Sequence, residues 1–195
     1  MSDYMDQKSS GPLAVRYRKI VMWIHWITAI LVVMQVIIGF TFHDMPRGPD
    51  RAFVFAWHKT WGALILLLAL IRLAVRLMNP PPPYPSDQPQ WKRFVAVWSH
   101  RLFYILLIAL PLTGLIAVSD GAKDGLVQLQ LGLAIPAVPG VSEDMGEASG
   151  EVHEVLVWTT LGLLGLHVLA ALYNQFIDRG PIAGRMWPFR QTRGV

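Results

Sequence analysis

The chain has 195 residues, about one domain by length, and its 53% hydrophobic and 15% charged composition with mean hydropathy +0.40 excludes an ordinary soluble domain. It has no cysteine, which excludes structural disulfides, thiolate-bound zinc, iron–sulfur clusters and the CxxCH attachment of c-type haem. The net charge of +4 comes from basic residues that flank apolar runs, so it reads as membrane topology and not as a nucleic-acid surface.

Four apolar runs follow one another along the chain. They are "IVMWIHWITAILVVMQVIIGFTF" at about 20–42, "FVFAWHKTWGALILLLALIRLAVRL" at about 53–77, "LFYILLIALPLTGLIAVS" with a backward extension to about 97–119, and "VHEVLVWTTLGLLGLHVLAALYNQF" at about 153–177. Each is long enough to cross roughly 30 Å of hydrocarbon at about 1.5 Å per residue. Backbone polar groups in lipid must be satisfied within the segment, so all four are predicted to be helices. The expected fold class is an all-α membrane protein, a four-helix bundle forming one domain over 1–195.

The connections carry their own signals. "NPPPPYPSDQP" cannot continue a helix and reads as a stiff extended loop between the second and third spans. The Gly- and Pro-rich stretch before the fourth span is predicted to hold a short interfacial helix over Leu126 to Leu133. Pro111 and Gly114 are expected to bend the third span. Several of the eight tryptophans lie beside the apolar runs, where amphipathic rings favour the interface.

Lys and Arg set the direction. Thirteen fall on one side: Lys8, Arg16, Arg18 and Lys19 before the first span, Arg72, Arg76, Lys92, Arg93 and Arg101 around the second loop, and Arg179, Arg185, Arg190 and Arg193 in the tail. Only Arg47, Arg51, Lys59 and Lys123 fall on the other. The positive-inside rule therefore predicts both termini in the cytoplasm, with the first run retained as a span.

The six histidines sort by depth. His25 lies in the inner half of the first span, His58 in the outer half of the second, and His153 at the outer mouth of the fourth. His167 lies about 21 Å further in, and fourteen residues at about 100° each bring it within about 40° of the His153 face. One stripe on the fourth span thus offers an imidazole at each of two levels, opposite His58 outside and His25 inside. Two facing imidazoles in an apolar bundle fit the axial positions of haem b. Zinc would want a third or fourth ligand, and neither level supplies one. Gly39, Gly62, Gly114, Gly162 and Gly165 would let a flat cofactor approach the backbone. His43 reads as a solvated loop residue. His100, beside Arg101, reads either as an interfacial anchor or as a contact to a haem propionate or quinone. Arg72, Arg76 and Arg101 read either as propionate partners or as snorkelling side chains.

At this point the sequence resembles the bacterial cytochrome b561 family. The matching pieces are "RYRKIVMWIHW", "WHKTWGALILLLALIRLAVR", "SHRLFYILLIALPLTGL", "EVHEVL", "GLLGLHVLAAL" and "GRMWP", in this order and covering roughly Tyr17 to Arg190. The resemblance implies a four-helix inner-membrane protein with two haems b, His25 paired with His167 and His58 with His153. Family members carry electrons between an outer donor or acceptor and quinone, and one branch oxidises superoxide and reduces ubiquinone. Related four-helix cytochromes serve as membrane subunits of hydrogenases and dehydrogenases; this short chain looks like the free-standing group.

For an anionic donor such as superoxide, positive charge is expected at the outer mouth, where Lys59 and Arg51 are the candidates. That side also carries nine acidic residues against its four bases, which leaves room for a periplasmic protein donor. Asn174 and Gln175 near the inner end of the fourth span are candidates to hydrogen-bond a quinone carbonyl, or equally to cap the helix or meet headgroups. The rival readings are an electron-carrier subunit serving a protein donor such as a dehydrogenase, a haem-free metal or proton transporter using the intramembrane histidines, and a structural membrane anchor.

Overall fold

The computed structural model describes residues 18–79, 88–178 and Met186. Four long helices carry the chain: α1 (Lys19–Asp44), α2 (Pro49–Met78), α3 (Gln90–Ala117) and α4 (Glu143–Leu172). A turn of π-helix, Tyr173–Asp178, continues α4. All four are long and apolar enough to span a bilayer. The proline-rich segment 80–87 and the tail basic residues Lys8, Arg16, Arg179, Arg185, Arg190 and Arg193 lie outside the described residues.

Two helices start earlier than the apolar pattern predicts. α3 begins at Gln90, and α4 begins at Glu143, ten residues before the expected start at 153. The stretch "EDMGEASGE" is Gly- and Ser-containing, yet Ser142 caps it by accepting from the Met145 N–H, and Glu143 and Asp144 sit in the first turn. A capping serine followed by acids is a helix start favoured by the dipole. Gly146 is buried because a Cβ there would lie 3.1 Å from the Asp120 carboxylate. His153 is therefore not at the mouth of α4 but about 15 Å along it, at about 1.5 Å per residue. His43, expected in a loop, is an exposed residue of the last turn of α1.

The predicted interfacial helix at Leu126 to Leu133 is a β-hairpin. β1 (Leu126–Gln128) pairs antiparallel with β2 (Ala134–Pro136), with Val127 opposite Ile135. The sequence "LVQLQLGL" alternates as well as it spirals, and is too short for length to decide between the two periods. Leu131 and Gly132 both have positive φ, at 60° and 71°, which turns the chain back and ends any helix there. Gln130 ties the hairpin to α2, its N–H donating to Thr60 Oγ1 (2.9 Å) and its side-chain amide to the Phe53 carbonyl (3.0 Å).

The dry core is small. Ile65, Ala69 and Leu107 pack with Leu31, Val32 and Ile108, all from α1, α2 and α3. The outer faces of the helices expose Ile30, Ile37, Ile105, Leu166 and Leu169, as lipid-facing helices do. α4 supplies no residue to that core. Its inward side chains border two cavities instead, one at each level of the bundle.

Candidate functional site

At the outer level His58 of α2 faces His153 of α4, their ring centres 6.3 Å apart and their planes at 75°. At the inner level His25 of α1 faces His167 of α4, 6.5 Å apart and at 72°. Imidazole nitrogen binds a metal at about 2.0 Å, and the ring centre lies about 1.1 Å behind that nitrogen. Two imidazoles on opposite sides of one metal are therefore roughly 6.2 Å apart, centre to centre. Both pairs meet that condition. Among the described residues no cluster of three or more His, Cys, Asp or Glu could hold a metal ion.

The outer imidazoles are seated by glycine. A Cβ on Gly114 would lie 3.1 Å from His153 Cε1, and one on Gly39 would lie 3.3 Å from His58 Cε1. Small residues on α3 and α1 thus let each ring lie against a neighbouring helix. Gly62 plays a different part, because a Cβ there would meet the Gln35 amide at 3.3 Å. Gly162 and Gly165 meet nothing within 4 Å. Of the five glycines read as room for a flat cofactor, three therefore seat side chains of the protein itself.

His153 is oriented by hydrogen bonds. Its Nδ1–H donates to the Leu110 carbonyl at 2.9 Å, with Thr113 Oγ1 3.3 Å away. Thr113 also donates to the Leu110 carbonyl. A proton on Nδ1 leaves Nε2 with the free lone pair, the tautomer a metal ligand needs.

The outer cavity, about 1150 Å³ counted with the space it opens onto, is lined by His58, His153, Lys59, Phe55 and, on the hairpin, Val127 and Ile135. The hairpin is thus a roof over the outer site, a role the sequence pattern did not convey. Lys59 reaches this cavity, its ammonium 5.3 Å from the centre of the Phe55 ring. Arg51 does not line it; its Nε donates to the Phe42 carbonyl at 3.0 Å and ties α2 to the end of α1.

The inner cavity, about 630 Å³ on the same basis, is lined by His25, His167, His100, Arg72, Tyr104 and Phe103, with the buried Thr28 and Thr160 in its wall. His100 stands at this level, its ring centre 5.5 Å from that of His167. Its depth from the sequence matched neither pair, because α3 starts a further turn or more outside the predicted span. Arg72 lies 5.6 Å from the Tyr104 ring on the same wall. Arg101 instead stacks over Trp98 at 4.9 Å on the exposed side of α3, as a snorkelling residue does. Asn174 and Gln175 do not line the inner cavity, and the Asn174 amide donates to the Ala170 carbonyl one turn back.

The family described as Prokaryotic cytochrome b561 matches residues 16–189. The chain belongs to the prokaryotic cytochrome b561 family. Relatives include cytochrome b561 homolog 2 of Escherichia coli (strain K12), 29% identical over 180 residues that cover 88% of this chain and 90% of that protein. The probable superoxide oxidase CybB of Yersinia pestis is 28% identical over 89% of this chain and 96% of its own length. Cytochrome b561 homolog 1 of Escherichia coli (strain K12) is 24% identical over 90% and 99%. This cytochrome b561 is accordingly a multi-pass inner-membrane protein of electron transfer that binds haem b.

Proposed function

We propose that this cytochrome b561, read as one domain over its whole length, holds two haems b, with His58 and His153 as the outer axial pair and His25 and His167 as the inner pair. The observation that carries the proposal is the equal spacing of the two facing imidazole pairs, 6.3 and 6.5 Å, on the separation one metal requires. Haem b, when bound, supplies a one-electron couple sheltered from water. The chain's own part would be to hold each haem between two imidazoles, which would leave no open position for oxygen and would favour outer-sphere electron transfer. The apolar walls exclude water, and the Leu110 carbonyl fixes the His153 tautomer.

Electrons then pass from the outer face to a quinone such as ubiquinone, and the asymmetry of Lys and Arg supports termini on the cytoplasmic side. His100, Arg72 and Tyr104 offer the inner cavity polar groups for a quinone carbonyl or a propionate. For the donor, Lys59 in the wall of the outer cavity and the name of the Yersinia pestis relative favour superoxide. Two superoxide anions each give up one electron and leave as dioxygen; one quinone takes both electrons with two protons and leaves as quinol.

A second reading keeps the haems and replaces superoxide with a protein donor, such as a dehydrogenase. It is favoured by the exposed carboxylates of Glu143, Asp144, Glu147, Glu151 and Glu154 on the outer turns of α4, a surface complementary to a basic partner. The test is a dithionite-reduced minus oxidised spectrum with pyridine haemochrome quantitation, followed by superoxide and quinone turnover of the purified protein. Two low-spin b haems per chain are expected. A colourless protein would overturn the proposal, and two haems without superoxide turnover would favour the protein donor.

A further inference from the structure

We infer that the turn of the β-hairpin is seated in the outer interface of the bilayer, with Leu131 and Leu133 against lipid, so that the roof of the outer cavity is anchored in the membrane. The turn is unusual in sequence. Leu131 and Gly132 are its two central residues, both with positive φ, at 60° and 71°. The Leu133 N–H closes it on the Gln130 carbonyl at 3.2 Å. Hairpin turns with two such residues favour Asn, Asp or Gly, because a larger side chain is strained there. Leu131 is not sheltered by the protein either: 77% of it is exposed, and 54% of Leu133. An apolar side chain held on a strained backbone and turned outwards calls for surroundings that favour it.

The hydrogen bonds of Gln130 fix the depth. Its N–H reaches Thr60 Oγ1 and its side-chain amide the Phe53 carbonyl. Phe53 opens the apolar run of α2, and Thr60 lies two residues deeper than His58. The turn therefore stands beside α2 at the height of the outer imidazoles, not above the helix ends. At this height α2 carries the stacked Trp57 and Trp61, and α4 the exposed Trp158, rings that mark a membrane interface. Irregular backbone is tolerated at such a depth only where protein satisfies its polar groups. That condition holds: the Leu129 N–H donates to the Leu133 carbonyl at 2.9 Å, and Thr60 accepts from Gln130 while donating its own hydroxyl to the Ala56 carbonyl at 2.7 Å. Composition agrees. The outer side bears nine acidic residues, yet no charge falls between Leu126 and Ser142. Val127 and Ile135 face the cavity, which leaves the turn leucines for the lipid.

The chain has no cysteine, so single-Cys variants can be labelled without background. The test places the fluorophore bimane on Leu131→Cys of the full-length protein in phospholipid vesicles. Ile37→Cys, on the exposed surface of α1 at the same height, is the lipid reference, and Glu147→Cys, on the outer turns of α4, is the water reference. Each is read in ordinary vesicles and in vesicles whose acyl chains are brominated near the headgroup; the ratio cancels any quenching by a cofactor of the protein. Bromolipid should quench the label on Leu131→Cys by the same fraction as on Ile37→Cys and leave Glu147→Cys unchanged, and aqueous iodide should do the reverse. Leu133→Cys repeats the reading if Leu131→Cys does not assemble. Quenching of the turn label by iodide and not by bromolipid would overturn the inference by placing the turn in water. Protection from both quenchers would overturn it in favour of a protein partner or a second copy of the chain. None of these outcomes depends on how many haems the protein holds.

Discussion

Gly114→Ala tests whether the outer imidazole is held as tightly as its surroundings indicate. The new Cβ would lie 3.1 Å from His153 Cε1 and 3.2 Å from Nδ1, closer than ordinary van der Waals contact. The ring cannot move away freely, because its Nδ1–H is bonded to the Leu110 carbonyl at 2.9 Å. Relief requires either breaking that bond or turning Nε2 away from its place opposite His58. Overpacking of this kind costs about 1–3 kcal/mol, and at about 1.4 kcal/mol per factor of ten that is roughly 5- to 150-fold in affinity at the outer site. Alanine is also the better helix former by about 1 kcal/mol, so the fold itself should be little affected. The assay is haem per chain by pyridine haemochrome after extended washing in detergent. Gly114→Ala should fall from two towards one, with the inner haem spectrum retained. Gly162→Ala, where a Cβ meets nothing within 4 Å, should keep both. Equal retention of both haems in wild type and Gly114→Ala would refute the reasoning that Gly114 seats the ligand.

Three further outcomes are expected. His153→Ala and His25→Ala should each remove one b haem and leave the other, and loss of both from either variant would argue against two separate axial pairs. Lys59→Gln should slow reduction by an anionic donor and flatten its dependence on ionic strength, since Lys59 is the base in the wall of the outer cavity; an uncharged donor should be unaffected, which stopped-flow spectroscopy can read. Gln130→Ala removes the side-chain bond to Phe53, worth about 0.5–1.5 kcal/mol, and should raise amide hydrogen exchange across 126–136 several-fold without lowering haem content.

The spans were legible because length and apolarity are properties of the chain alone, and lipid leaves helix as the only answer for such a run. Their ends were less so. The start of α4 was hidden in "SEDMGEASGE", where Gly and Ser suggest a loop, although Ser142 followed by two acids was a cap signal within reach. The pairing of His25 with His167 and of His58 with His153 could be anticipated from depth, because helix rise converts sequence number into height. Rotation was another matter. A span that is apolar on every side has no moment to say which face looks inward, so the seats at Gly39 and Gly114 and the presence of His100 in the inner cavity were not readable in advance.

What the sequence determined by itself was thus a four-helix membrane chain with imidazoles at two heights, since residue count fixes both length and depth. Which neighbour each imidazole rests on, which basic residue reaches a cavity and which is drawn off to a carbonyl or an indole, and the folding of Leu126 to Leu133 as a roof were decided by tertiary structure. The reason is that these are lateral relations. They depend on how each helix is turned against its neighbours and on backbone angles at single residues such as Leu131 and Gly132, and residue count carries no information about either.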